Sequence, residues 1–117
     1  MKFILFPAEE LKPGEMRVVA VANVEVVIVR DHRGVFHALR NVCSHQGAHL
    51  SAGNLAPLIG GNDVGQYELS DDTEVLRCPW HGYEYALDTG RSLADPQKTR
   101  VRSYQVSIED GRVAVER

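Results

Sequence analysis

The sequence predicts a mostly antiparallel, all-β fold, and three observations carry that prediction. Apolar and polar residues alternate with period two over 104–109, which places Tyr104, Val106 and Ile108 on one face. β-Branched residues crowd 17–21 and 24–30, on either side of Ala22 and Asn23. No stretch of a dozen residues carries a convincing helical period.

Along the chain, Phe3 to Phe6 form a short apolar run that Pro7 ends, and residues 7–11 can make one helical turn with proline at its favoured first position. Segments 17–21 and 24–30, followed by the turn Asp31-His32-Arg33-Gly34 and then 35–39, read as a three-strand meander. A short strand over 74–77 leads into Cys78, and Tyr83, Tyr85 and Leu87 alternate before Asp88-Thr89-Gly90. Asp110-Gly111 joins 104–109 to 112–116; glycine tolerates the positive φ of a tight type I′ turn, so this pair is a strong hairpin signal. Residues 51–73 stand apart as a long insertion with few strand signals and several glycines. From Asp63 in that insertion through Glu74 just after it the chain holds five acids and neither Lys nor Arg, which reads as a solvated loop or an acidic docking surface.

At 117 residues, with 44% apolar and 25% charged residues, the chain has the make-up of a single folded domain, taken here as 1–117. A net charge of −3 supplies no basic field for phosphates, so no nucleic-acid partner is expected. The apolar stretches fall short of the ~20 residues a bilayer requires, and no membrane association is expected. Pro7, Glu9 and Glu10 end the N-terminal run before an export signal can form, which points to a cytoplasmic protein. Two cysteines are too few for a disulfide scaffold.

Both cysteines sit in informative company: Cys43-Ser44-His45 and Cys78-Pro79-Trp80-His81. One thiol and one imidazole from each of two loops make a soft to borderline ligand set, suited to zinc or iron rather than calcium or magnesium. Gly47 and Gly82 follow the two clusters and let the backbone turn sharply toward a buried ion. Ligand softness and number alone also permit a tetrahedral zinc site.

The stretches CSHQGAHL and CPWHGYEYALDTG resemble the two cluster-binding loops of the Rieske iron–sulfur family, C-x-H-x-G and C-x-x-H-G. The resemblance covers 43–50 and 78–90 and implies an antiparallel β-sandwich carrying a small cluster-binding subdomain, with loops at about 41–50 and 78–83. It implies one 2Fe-2S cluster, with Cys43 and Cys78 on one iron and His45 and His81 on the other. Neutral imidazoles in place of two thiolates make reduction easier, which lifts the potential to roughly −150 to +300 mV against about −400 mV for plant-type ferredoxins.

High-potential relatives carry a disulfide joining the loops and a serine that donates to a cluster sulfur; Ala48, Trp80 and Tyr83 stand at those positions here. A midpoint toward the negative end of the span is therefore expected. Tyr85 matches a position whose hydroxyl approaches a cysteine sulfur in relatives. Two departures stand out: 32 residues separate His45 from Cys78, more than is usual, and His49 stands where proline is common. Trp80 is expected to cover the cluster from water, Pro96 to belong either to a third loop like the one that covers the centre in relatives or to a simple turn, and His32, His37, Arg100 and Arg102 to be ordinary turn, strand and surface residues.

By this resemblance the chain is a soluble one-electron carrier, a ferredoxin component feeding an oxygenase or similar enzyme, with a reductase or oxygenase as redox partner. A second, mononuclear iron domain has no room in the chain, so no catalysis is expected of it. A small subunit of a larger, nitrite-reductase-like enzyme and a redox or iron sensor are the competing readings. Contact with partners is expected to be small and transient, steered by the negative field toward a positively charged face.

Overall fold

Runs of β-branched residues separated by two-residue turns fold back on themselves as hairpins. In the computed structural model, which describes residues 1–42, 49–57, 74–78, 84–92 and 101–116, they form two antiparallel sheets. The larger contains β1 (Lys2–Pro7), β2 (Met16–Val21), β3 (Val24–Arg30), β4 (Phe36–Arg40), β8 (Ser103–Glu109) and β9 (Arg112–Glu116), in the order β1-β9-β8-β4-β3-β2. The smaller contains β5 (Asn54–Pro57), β6 (Glu74–Arg77) and β7 (Glu84–Ala86), in chain order. The expected meander is β2-β3-β4, and the expected C-terminal hairpin is β8-β9.

Both two-residue hairpin turns use left-handed backbone. Asp110 and Gly111 have φ of 51° and 78°, the conformation for which glycine was the sequence signal. Ala22 and Asn23, with φ of 49° and 70°, make the same kind of turn between β2 and β3 without a glycine. The large sheet curls until its two edge strands meet: the Arg17 guanidinium of β2 lies 4.3 Å from the centre of the Phe6 ring of β1 and donates to Glu10. Side chains, not a main-chain ladder, thus join these edges. At the other end of β1, Lys2 forms an exposed ion pair with Glu109 of β8 at 2.8 Å.

β3 is buried on both faces, which explains why Val26, Val27, Ile28 and Val29 form an unbroken apolar run instead of alternating. Val26 and Ile28 point into the curled sheet with Val21, Ala38, Val113 and Val115. Val27 and Val29 point the other way, with Leu39, against Leu50, Leu76, Tyr85 and Leu87 of the smaller layer. The small sheet therefore rides on the outer face of the large one, and the hydrophobic core has two compartments sharing β3.

Several sequence expectations shift. β1 pairs with β9, a long-range partnership that the short run 3–6 did not reveal. The turn after it is a 3-10 turn over Ala8–Glu10, with Pro7 just before it. β5 lies inside the stretch read as an insertion poor in strands; it pairs with β6 from the sheet edge, where a proline is tolerated. Ile108, expected on the buried face, is 48% exposed, while Tyr104 and Val106 pack against the inner core. No helix among the described residues is long and apolar enough to cross a membrane.

Candidate metal centre

Four donors were expected, Cys43, His45, Cys78 and His81; Cys78 is the one that lies among the described residues. Cys43, His45 and His81 lie outside them, as do Ala48, Trp80, Tyr83, Pro96 and Arg100. What the structure gives is the set of supports on which the two ligand segments stand.

The second segment is carried by the β6-β7 hairpin. Arg77 and Glu84 are the last paired residues before it, and the Arg77 guanidinium donates twice to Glu84 Oε2, at 2.7 and 3.2 Å. That fork clamps the two ends of the segment 78–83 across the strand pair. Cys78 follows directly and is only 2% exposed, in an apolar cluster with Leu50, Leu76, Tyr85, Leu87 and Val101. Tyr85, fully buried, belongs to the same cluster.

The first segment leaves the end of β4 and returns at a 3-10 turn over Leu50–Ala52. Asn41 closes its mouth. This buried residue, 1% exposed, accepts the Ser51 N–H on Oδ1 at 2.7 Å and donates from Nδ2 to Glu25 Oε1 at 3.2 Å. Its own N–H donates to the Glu25 carbonyl at 2.9 Å. Next comes Gly53, whose backbone is pressed against β6: a Cβ there would meet the Arg77 carbonyl oxygen at 1.8 Å. The return of the first segment is thus packed directly on the residue preceding Cys78.

His49, which stands where proline is common in the family, is exposed, and its Nδ1 lies 3.3 Å from Glu25 Oε1. His32 and His37 are structural, as expected. His37 Nε2 lies 2.9 Å from Asp31 Oδ2, while Asp31 Oδ1 accepts the amides of Arg33 and Val35. Burial opposes ionisation of Asp31, but those bonds and the charge of His37 together outweigh it and hold its carboxyl below the ordinary value. His32 contacts Glu74 at the start of β6 through both its ring and its backbone N–H. Arg102, exposed as expected, stacks over Tyr104 at 5.2 Å.

Sequence reasoning missed the two residues that brace the site, Asn41 and Gly53. Asn41 carried one usable signal, a polar residue two positions before a candidate ligand at the end of an apolar strand. Gly53 carried none beyond its identity, since the contact that demands it comes from 24 residues further along the chain, at Arg77.

The donor set fits an iron–sulfur centre: two thiols and two imidazoles are the ligands of a mixed-ligand pair of irons, and Cys78 stands where water is excluded. A family model for the Rieske [2Fe-2S] domain matches residues 1–105. Human apoptosis-inducing factor 3 is 34% identical over 92% of this chain, but the chain spans only 15% of that protein's length. The ferredoxin component of the alkene monooxygenase system of Xanthobacter autotrophicus is 29% identical over 92% of the chain and 74% of its own length. Among solved structures, the ferredoxin of carbazole 1,9a-dioxygenase from Nocardioides aromaticivorans superposes with a TM-score of 0.75 at 26% identity, over 98% of this chain and 96% of that one.

Proposed function

We propose, for a chain that belongs to the Rieske 2Fe-2S domain family, that it is a one-electron carrier serving as the ferredoxin component of an oxygenase system or a similar redox enzyme. Cys43, His45, Cys78 and His81 hold one 2Fe-2S cluster, Cys43 and Cys78 on one iron and the histidines on the other. When bound, the cluster takes up and releases a single electron.

The observation that carries the reading is the bracing of both ligand segments from one place. Gly53 sits against the Arg77 carbonyl, while Asn41 ties the first segment's two ends together through Ser51. The segments therefore leave the fold side by side, which four ligands on one cluster require. Burial of Cys78 beside Tyr85, Leu50 and Leu87 supplies the dry wall behind the sulfur end. Likeness to the Xanthobacter and Nocardioides ferredoxins, at 29% and 26% identity, supports the same reading.

The test is an anaerobic redox titration followed by electron paramagnetic resonance. The expected result is a reduced-state signal whose average g value is lower than that of an all-sulfur-ligated cluster, with a midpoint below about +100 mV inside the family's span. A protein that takes up zinc but neither iron nor sulfide would end the proposal. Co-purification then distinguishes the settings, since a stoichiometric large subunit would make this chain part of a larger reductase and a loosely held reductase would make it a carrier.

A further inference from the structure

We propose that Asn41 is the positioning residue of the first ligand segment, holding Cys43 and His45 in their binding geometry by locking the mouth of 43–48; this rests on the ligand reading above. Asn41 stands two residues before Cys43, and its Oδ1 accepts the N–H of Ser51, beyond the far end of the segment, at 2.7 Å. The residue is 1% exposed, so water cannot replace its partners and each bond is directional. Its Nδ2 faces Glu25 Oε1 at 3.2 Å and His49 Nδ1 at 3.4 Å.

The site demands a carboxamide. One end must accept from an amide while the other donates to a carboxylate, and of the side chains of this size only Asn does both. Aspartate keeps the acceptor but sets a second negative charge against Glu25; leucine keeps the volume and loses both bonds. Unlocking the mouth returns conformational freedom to the loop, and that freedom must be lost again whenever the ligands close on the metal. Outer partners of metal ligands commonly contribute about 10–100-fold to metal affinity.

The experiment compares wild type, N41L, N41D, the double variant N41D/E25Q and D31A, each as the full chain reconstituted with iron and sulfide. Chelator-driven iron release and the spread of g values in the reduced state are measured. N41L and N41D are expected to release iron about 10–100-fold faster with a broadened signal. In N41D/E25Q the amide and the carboxylate exchange places, the bond re-forms with reversed polarity, and both readouts recover toward wild type. D31A disrupts an equally buried network away from the ligands, so it lowers unfolding stability while leaving release and g values unchanged.

Wild-type release rates in N41L and N41D, failure of E25Q to restore N41D, or a D31A effect equal to that of N41L would each overturn the proposal. Should the Asn41 variants not fold, amide exchange on the wild type decides: Ser51 N–H is expected to be strongly protected, and free exchange there overturns it. A wild type that holds no cluster refutes the ligand reading instead, an outcome separable from all of these.

Discussion

Gly53 and Arg77 approach so closely that a Cβ on the glycine would lie 1.8 Å from the arginine's carbonyl oxygen. The glycine's own φ of −85° is open to any residue, so the demand is steric. Gly53→Ala must therefore push the end of β6 away from the 3-10 turn before it. The expected cost is roughly 1–3 kcal/mol of unfolding stability, with poorer cluster loading because Cys78 is the next residue along. Chemical denaturation and the iron-to-protein ratio measure the two effects; an alanine variant equal to wild type in both would refute the close packing.

Asp31 supplies a pH-dependent prediction. Its folded carboxyl titrates below the ordinary value, so the native state favours the ionised form more than the unfolded chain does. The stabilisation is complete above the unfolded value of about 3.9 and drains away as pH falls from there through the lower folded value. Asp31→Ala leaves the Arg33 and Val35 amides without their acceptor and should cost about 1–3 kcal/mol at neutral pH. Denaturant titrations of both proteins should converge as pH drops below about 4; a gap that stays constant to pH 3 would contradict the assignment.

The contrast between the two hairpins explains what the sequence could disclose. Asp110-Gly111 announces its turn because glycine carries the positive φ, and Val24–Arg30 announces its strand through β-branched residues. β1 and β5 were hidden, since each is held by a partner distant in sequence, β9 for one and β6 for the other. Ile108 breaks the rule of alternation: beside the β8-β9 turn it stays 48% exposed, although Val113, its partner across the strand pair, is fully buried. At the site, residue type and spacing named the ligand candidates, but Asn41 and Gly53 act through contacts with Ser51 and Arg77 that no local pattern encodes.

Ala22 offers a stabilising change. It holds φ of 49° in the β2-β3 turn, a conformation in which its Cβ crowds the following carbonyl. Asparagine tolerates that region through local hydrogen bonding. Ala22→Asn should raise unfolding stability by roughly 0.5–1 kcal/mol, visible as a higher melting temperature with an unaltered denaturant slope. A lower melting temperature would mean that the turn is not left-handed at that residue.

His49 provides an internal control for the ligand assignment, because it lies four residues from His45 and belongs to the same sequence cluster. Its side chain is 61% exposed, and its Nδ1 is directed to Glu25 at 3.3 Å. A ring so placed is held by a surface carboxylate, and an exposed pair of this kind contributes about 0–1 kcal/mol. His49→Ala is accordingly expected to keep the visible spectrum and the low-g signal of the reduced cluster. Under the proposed ligand set, His45→Ala and His81→Ala would each remove a nitrogen donor from iron, and should abolish that signal or prevent assembly of the centre. Were His49→Ala to bleach the protein while either of the others left it coloured, the ligand register would have to move along the chain.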